Sequence, residues 1–230
     1  MQGRSLGKSV AATADPTCCS GSRATVCNGT GGRRFLTSAN SQLRKSALRA
    51  RRALTDDQRN VASTTISDRV IHSRTFFSSK SVACYLPVYD EVDTSRIIKR
   101  AWSAKKRIFV PVTGSHGEMI FRQLTPDTDL RQNDFGIWEP VSGDLASPKS
   151  LDLVVTPLVA FDKNLHRIGM GGGYYDRCFR FLKHRNNWLR PKLLGVAFEC
   201  QKVEKIAPNP WDIPLYQVFT EKNSYTRSRN

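Results

Sequence analysis

Residues 151–156, LDLVVT, and residues 193–198, LLGVAF, are short apolar runs in which polar and apolar side chains do not alternate. An alternating strand covers a core with one face only, whereas a continuously apolar strand is typical of a parallel sheet that is buried on both faces. Similar runs stand at residues 81–86 (SVACYL) and 107–112 (RIFVPV). These stretches predict the central strands of a sheet that is covered on both sides by helices.

Helical patterns lie between these runs. Residues 41–54 combine apolar positions with arginines and predict a basic helix. Thr55, with Gln58 three positions later, has the spacing of a capping box, which predicts a second helix that ends near Ser73 and buries Val61. Strands that alternate with helices predict an α/β fold: a single Rossmann-like domain of three layers, in which helices flank both faces of a mostly parallel sheet.

The charge of the chain is concentrated at one end. The 230 residues include 36 Lys and Arg against 20 Asp and Glu, a formal charge of +16 at pH 7. This excess favours a polyanionic partner such as nucleic acid. However, ten basic residues and one acid fall within residues 1–53, which leaves 26 basic and 19 acidic residues in the rest of the chain. The hydrophobic content of 39% excludes wholesale disorder, and the apolar runs are shorter than the roughly 20 residues of a membrane helix.

The N-terminal stretch has the composition of a targeting segment. Residues 1–39 are rich in Ser, Thr, Gly and Arg, and they lack the central apolar region of a secretory signal. They predict a disordered organellar transit peptide, mitochondrial or, as an alternative, plastid, and RRFLTS at residues 33–38 is similar to a mitochondrial processing site. An ordinary disordered tail, in a cytoplasmic protein, is the other alternative. Residues 40–221 then form the folded domain, and residues 222–230 form a polar tail.

Three of the six cysteines, Cys84, Cys178 and Cys200, lie in the body of the chain. Their spacing matches neither a closed disulfide set nor a zinc site. Cys84 and Cys200 stand in apolar runs, which predicts two buried thiols in a reducing compartment.

Residues 167–177, RIGMGGGYYDR, hold four glycines in five positions ahead of a predicted helix that begins near Tyr174. Glycines let backbone N–H groups approach an anion, and a helix N-terminus adds a favourable partial charge. Arg167 is suited to pair with phosphate oxygens, and Asp176 is suited to hold a divalent metal that bridges them. The stretch lacks the GK[ST] ending of a Walker loop and the last glycine of a dinucleotide fingerprint, so a simple flexible turn is the alternative.

The full string is more specific than its glycines. GMGGGYYDR at residues 169–177, preceded by FDKNLHRI, resembles the signature of the 5-formyltetrahydrofolate cyclo-ligase (methenyltetrahydrofolate synthetase) family. Other segments resemble this family in the same order along the chain. They are LRK and RARRAL at residues 43–54, YLP and DEVDT at residues 85–94, FGIWEP at residues 135–140, AFECQ at residues 197–201, and WDIP and TE at residues 211–221.

The resemblance implies a reaction and its ligands. The family converts 5-formyltetrahydrofolate to 5,10-methenyltetrahydrofolate and hydrolyses ATP to ADP and phosphate with Mg²⁺. The formyl oxygen attacks the γ-phosphorus of ATP, and the ring of the phosphorylated intermediate closes as phosphate leaves. The resemblance also implies a monomer whose partners are these small molecules, without nucleic acid and without a membrane.

Site residues follow from the resemblance where this sequence matches the family's motifs. The implied ATP-binding positions are Arg44, Arg167, Ile168, Gly169, Met170, Gly171, Gly172, Gly173, Tyr174 and Tyr175. The implied folate-binding positions are Leu86, Glu91, Met170, Gly171, Gly172, Gly173 and Tyr174. Asp176 and Asp212 match the acids associated with Mg²⁺, and no residue is assigned as a general acid or base.

One position departs from the family pattern. The family places a phosphate-binding lysine four residues before the arginine that matches Arg44, and this sequence has Asn40 there. Either Lys45 or another base compensates, or the register is shifted, or nucleotide binding is weaker. This departure leaves open the hypothesis that the chain is a relative that binds folate or nucleotide without catalysis. A basic nucleic-acid-binding module is a third hypothesis, which the lack of a recognisable binding motif disfavours.

Overall fold

The computed structural model describes residues 31–114, 118–133, 136–184 and 190–226. Its α-helices are α1 (Gly31–Arg52), α2 (Asp56–Ile71), α3 (Arg74–Ser78), α4 (Ser95–Ser103) and α5 (Tyr174–Cys178). Its strands are β1 (Ser81–Cys84), β2 (Arg107–Thr113), β3 (Met119–Gln123), β4 (Leu130–Gln132), β5 (Trp138–Pro140), β6 (Leu145–Ala146), β7 (Leu153–Thr156), β8 (Ala160–Phe161), β9 (Arg167–Ile168), β10 (Lys192–Val196), β11 (Gln217–Phe219) and β12 (Ser224–Thr226). Short 3₁₀ helices span Pro148–Ser150, Arg180–His184 and Glu199–Gln201.

Eight of these strands form one mixed sheet in the order β12-β11-β10-β7-β1-β2-β3-β6. The central strands β11, β10, β7, β1 and β2 run parallel to one another. Strands β12, β3 and β6 pair antiparallel with their neighbours at the two sides. The predicted α/β fold with a mostly parallel sheet is therefore confirmed.

The apolar runs are continuous because alternate side chains enter cores on opposite faces of the sheet. In β7, Leu153 and Val155 belong to the core that also contains residues of α2 and α4, whereas Val154 belongs to the core on the other face. That second core contains Phe179, which follows α5. All three of these β7 side chains are fully buried. The three-layer arrangement is thus confirmed.

Helix α2 begins at the predicted capping box, in which Thr55 and Gln58 each accept a hydrogen bond from the other's backbone N–H. The prediction that Val61 is buried is wrong, because its side chain is 69% exposed. The buried stripe of the helix includes Ser63 and Ser67 instead, whose hydroxyls hydrogen-bond to the backbone of Asp93. Small hydroxyl residues therefore dock this helix on the loop after β1, an arrangement that apolar periodicity does not reveal.

Three further differences from the sequence predictions concern the limits of elements. Helix α1 begins at Gly31, ten residues before the predicted start, so it includes residues 31–39 of the proposed transit segment. Strand β12 (Ser224–Thr226) falls within the stretch predicted as a polar tail, residues 222–230. Residues 1–30 and 227–230 lie outside the described residues. Cys84 is buried as predicted, but Cys200 is exposed because β10 ends at Val196 and Cys200 lies in the 3₁₀ helix that follows.

The segment after Pro140 contains the short strand β6 and a 3₁₀ helix. None of the helices among the described residues is long and apolar enough to span a membrane.

The order of the parallel strands creates a crevice at one edge of the sheet. The chain runs from β1 to β2 on one side of β1, and it later returns to place β7 on the other side. Loops that leave adjacent strands in opposite directions open a gap at the carboxyl ends, where ligands bind in such folds. Gln201 fixes one wall of this gap, because its buried amide donates to the carbonyls of Leu158 and Val159 after β7.

Candidate active site

A cavity of about 1050 Å³ opens in this crevice, at the carboxyl ends of β1 and β7. Every position for which the sequence predicted a binding or metal role lines it. These positions are Arg44, Leu86, Glu91, Arg167, Ile168, Gly169, Met170, Gly171, Gly172, Gly173, Tyr174, Tyr175, Asp176 and Asp212. The fold therefore brings into one cavity segments that are widely separated along the chain.

The glycine loop, residues 169–173, connects β9 to α5. Gly171 has φ +113° and Gly173 has φ +63°, conformations that side-chain-bearing residues rarely adopt. A Cβ atom on Gly172 would lie 2.7 Å from the ring of Tyr174. Helix α5 has only five residues, so the predicted contribution of a helix dipole is small. Arg44 and Arg177, whose side chains donate to carbonyls of the loop, bring positive charge to it.

An ion pair closes the glycine loop across its base. Arg167 precedes the loop and Asp176 follows it, and Nη2 of Arg167 lies 2.7 Å from Oδ1 of Asp176. The same Oδ1 accepts the N–H of Ile213 at 3.0 Å, and Nη1 of Arg167 donates to the carbonyl of Ile213. The Arg167 side chain is 5% exposed, so solvent screens this pair weakly. The network ties the loop to the segment that carries Asp212.

Arg44 reaches the glycine loop from helix α1. Its Nε donates to the carbonyl of Gly169 at 2.9 Å, and its guanidinium carbon would lie 3.8 Å from a Cβ atom on Gly171. Arg177 donates to the carbonyl of Gly172 at 2.6 Å, and Arg180 also lines the cavity. Cations thus approach the loop from two different helices, which suits the binding of a polyanion.

Leu86 and Glu91 line the cavity from another segment, the loop after β1. Buried side chains hold this loop: the hydroxyl of Tyr85 donates to the carbonyl of Val92 at 3.0 Å, and Thr94 donates to the carbonyl of Tyr85 at 2.7 Å. Thr94 stands at the N-cap of α4, but its side chain makes this bond and does not cap the helix. The position of Glu91 is therefore fixed from within the loop.

The carboxylate of Glu91 is in a poorly solvated place. Burial raises the pKa of Glu91 above its usual value, and a hydrogen bond from the N–H of Val88 together with the charge of Arg51 opposes this rise. The Val88 bond to Oε2 measures 3.3 Å. A carboxylate with a raised pKa and few protein partners is suited to accept hydrogen bonds from a ligand.

Asp212 lines the cavity and directly precedes Ile213, the residue that Asp176 contacts. Its Oδ2 accepts the backbone N–H of Asn209 at 2.8 Å, and Asp176 is bonded to the next residue, Ile213. Within the described ranges, no group of three or more His, Cys, Asp or Glu side chains is arranged to hold a metal. Two carboxylates fit Mg²⁺, which is typically held by one or two acids together with waters and the phosphates of a substrate.

Aromatic side chains divide between the core and the cavity mouth. Tyr175 stacks on Phe179 at a centroid distance of 6.3 Å, whereas the ring of Tyr174 is covered by Arg177 at 5.0 Å. Trp138 and Trp211 line the cavity, and they are 47% and 61% exposed. The cavity therefore has an aromatic rim.

Sequence reasoning did not single out Glu139, Thr113 and Arg51, which also line the cavity. Oε1 of Glu139 accepts from the N–H and hydroxyl of Thr113 and from the amide of Asn133. Glu139 belongs to the FGIWEP motif, so the motif could have identified it as a residue of the cavity. Arg51 was hidden in a run of exposed arginines.

Asn40, which stands at the position of the family's lysine, also lines the cavity. Its amide donates to the carbonyl of Ala207 at 3.0 Å, and its Oδ1 is buried without a partner among the described residues. Lys45, one of the bases expected to compensate, is exposed and does not line the cavity. The cationic groups near the loop are arginines.

Comparisons with known proteins agree on one family. The family model described as 5-formyltetrahydrofolate cyclo-ligase family matches residues 36–221. The 5-formyltetrahydrofolate cyclo-ligase of Haemophilus influenzae is 32% identical over 80% of this chain and 98% of its own length. The enzyme of the same name from Escherichia coli is 36% identical over 74% of this chain and 93% of its own length.

Solved structures give the same result. The NMR structure of Aquifex aeolicus 5,10-methenyltetrahydrofolate synthetase matches with a TM-score of 0.72 and 32% identity, over 83% of this chain and 94% of that one.

A relative from Arabidopsis thaliana, 26% identical over 77% of this chain and 72% of its own length, is named 5-formyltetrahydrofolate cyclo-ligase, mitochondrial. The chain belongs to the 5-formyltetrahydrofolate cyclo-ligase family.

Proposed function

We propose that this chain converts 5-formyltetrahydrofolate to 5,10-methenyltetrahydrofolate and hydrolyses ATP to ADP and phosphate with Mg²⁺. One observation carries the proposal: in a chain of this family, the glycine loop with its arginines, the wall with Glu91, and two acids all line the same cavity. A cavity of about 1050 Å³ is at the upper end of the range for ligand sites and leaves room for two ligands.

The reaction needs activation of an amide oxygen, which is a poor leaving group. The formyl oxygen attacks the γ-phosphorus of ATP, and the bond between that phosphorus and the bridging oxygen of ADP breaks. N10 of the folate then attacks the formyl carbon, loses its proton, and phosphate departs with the former formyl oxygen. Positioning and charge neutralisation are the main tasks of a protein in such a phosphoryl transfer.

The nucleotide side of the cavity is the glycine loop. We assign the phosphates of ATP to residues 167–175 and to Arg44, since the backbone bends tightly there and guanidinium groups surround it. Arginine suits this role because its planar fork binds two phosphate oxygens at once. Arg167 is already held by Asp176, so its part is to fix the loop as well as to contribute charge.

The folate side is the wall that carries Leu86 and Glu91. An ionised carboxylate only accepts hydrogen bonds, and the amino group and ring N–H of a pterin donate them side by side. Residues Met170 to Tyr174 line the cavity together with this wall and match positions that the family uses for both ligands, so we assign them contacts with both. Met170 is 65% exposed, which leaves its side chain open to a ligand.

Asp176 and Asp212 are the residues proposed to hold Mg²⁺. A bound Mg²⁺ neutralises charge that develops on the phosphates during transfer. The chain's own part is to hold together the two segments that carry these carboxylates, through the bond from the N–H of Ile213 to Asp176.

The second candidate function is a relative that binds ligands without catalysis, and Asn40 is the observation that favours it. A neutral amide at this position removes one cation from the nucleotide side. Five arginines nevertheless line the cavity, namely Arg44, Arg51, Arg167, Arg177 and Arg180. This retained charge supports the catalytic proposal. We further propose a monomer that binds no nucleic acid, since the arginines that line the cavity suit small anions.

The N-terminal segment is proposed to direct the protein to mitochondria, with residues 1–39 as the transit peptide and residues 40–221 as the enzyme domain. The basic, acid-poor composition supports this proposal. The relative from Arabidopsis thaliana whose name includes mitochondrial is consistent with it.

The reaction is tested by product absorbance. Purified protein lacking residues 1–30 is mixed with 5-formyltetrahydrofolate, ATP and Mg²⁺, and methenyltetrahydrofolate is followed in the near ultraviolet. We expect product only when all three are present, in step with the release of phosphate. Product formation without ATP, or none under any condition, contradicts the proposal.

The metal role of Asp176 is tested by the dependence of the rate on Mg²⁺. We expect Asp176→Ala to raise the Mg²⁺ concentration for half-maximal rate about tenfold or more, because one of two carboxylates is lost. Arg167→Met is the matched control, since it breaks the same ion pair from the other side and keeps the carboxylate. If both variants need the same Mg²⁺ concentration for half-maximal rate, the role of Asp176 is to hold the glycine loop and not to bind the metal.

Glu91→Gln is expected to weaken folate binding and to stabilise the fold. Loss of a charge-assisted acceptor predicts about 10- to 100-fold weaker binding of 5-formyltetrahydrofolate. Because burial raises the pKa of Glu91, the native state holds this proton more tightly than the unfolded state. Ionisation of Glu91 therefore lowers the free energy of unfolding of the wild type as the pH rises from the pKa of the unfolded state to the pKa of the native state. Above the native pKa, this loss of stability is constant.

Urea denaturation across pH 4 to 8 measures this effect. We expect Glu91→Gln to exceed the wild type in stability at neutral pH, and the gap to close in acid. Glu204→Gln, at an exposed position, is the control and should follow the wild type. A variant with reduced stability at neutral pH would show that the carboxylate stabilises the fold.

The compartment is tested by a fusion of residues 1–40 to a fluorescent protein. We expect the fusion to co-localise with mitochondria. Diffuse fluorescence or plastid fluorescence contradicts the mitochondrial proposal and selects one of the two alternatives.

A further inference from the structure

Arg51 is buried although it carries a charge. It is 4% exposed, and its Nε is shielded from solvent without an acceptor among the described residues. The side chain nevertheless lines the cavity. Its neighbour Arg52, by contrast, has a side chain that is 70% exposed and pairs with Asp90.

A guanidinium in this state calls for a physical reason. Buried donors without acceptors cost free energy, and charged ones cost more, so native structures contain few of them. Arg51 is close enough to Glu91 and Tyr85 for its charge to lower the pKa of both groups. It makes no ion pair with Glu91 in the described part of the chain. The donors of Arg51 are therefore available on the wall of the cavity where Glu91 lies.

The position of Arg51 on its helix separates it from the nucleotide side. Arg44 and Arg51 are seven residues apart in α1, two turns on the same face and about 10 Å along the axis. Arg44 contacts the glycine loop, whereas the charge of Arg51 acts on Glu91 and Tyr85. One face of the helix thus presents one arginine to the glycine loop and another to the segment that carries Glu91.

The chemistry of a pterin edge matches this pair of side chains. The edge presents the 2-amino group and the N3–H as donors, next to the 4-oxo oxygen as an acceptor. Glu91 accepts from donors, and a guanidinium only donates. We propose that Arg51 donates a hydrogen bond to the 4-oxo oxygen of the pterin and, with Glu91, selects an oxo-pterin over a 4-amino pterin. This inference rests on the proposed function.

The test compares two ligands and is made without ATP, so that no turnover occurs. One ligand is 5-formyltetrahydrofolate, and the other is the analogue with an amino group in place of the 4-oxo oxygen. We expect the wild type to bind the oxo form at least about 30-fold more tightly, and Arg51→Met to reduce this preference to about threefold or less, since a lost bond to a charged donor has this size. Titration calorimetry measures both dissociation constants.

Two variants separate direct contact from other roles. Arg49→Met changes an exposed arginine of the same helix that does not line the cavity, and it should keep the wild-type preference. Arg51→Lys keeps the charge beside Glu91 but loses the fork of donors, so we expect at least a fivefold loss of preference. It also provides the measurement if Arg51→Met does not fold.

The outcomes are distinct. An unchanged preference in Arg51→Met or in Arg51→Lys overturns the inference, because the arginine would then act only through its charge or through packing. If the wild type binds the oxo form and yields product but shows no preference between the two ligands, the inference fails while the proposed function stands. If the wild type neither binds the oxo form nor yields product, the proposed function fails and the inference falls with it.

Discussion

The ion pair between Arg167 and Asp176 is the interaction on which the rest of the site depends. The two residues flank the glycine loop, and their bond at 2.7 Å closes it at the base. Both also bond to the backbone of Ile213, so the segment that carries Asp212 is fixed to the same point. A loop with left-handed glycines has little conformational preference of its own. The pair supplies the constraint that the loop lacks, and it is nearly buried, so salt screens it little.

The sheet supplies the second constraint, because its switch between β1 and β7 opens the crevice that the loop then covers. The segments that line this crevice differ in chemistry. Arginines surround the glycine loop, while Glu91 and the buried Arg51 line the cavity from other segments. Buried charges with few partners cost stability, so their presence at one wall is better explained by ligand recognition than by folding.

Much of the fold could be predicted from the sequence because its signals are local. The capping box at Thr55 and the apolar run of β7 each specify an element without distant contacts. Val61 and Cys200 were placed wrongly, since burial depends on how an element docks and where it ends. Most residues that line the cavity could be predicted from the motifs. The ion pair between Arg167 and Asp176 could not, because the sequence suggested a phosphate as the partner of the arginine and a metal as the partner of the carboxylate. The burial of Arg51 depends on tertiary packing that a basic run conceals.

The central claim is that one cavity holds ATP and the folate together, on either side of the glycine loop. The most direct measurement is a binding titration with 5-formyltetrahydrofolate and the β,γ-imido analogue of ATP, which cannot transfer its phosphoryl group. The account predicts a ternary complex with one of each ligand per chain, in which saturation with either ligand leaves the site for the other open. Mutual exclusion of the two ligands would contradict it.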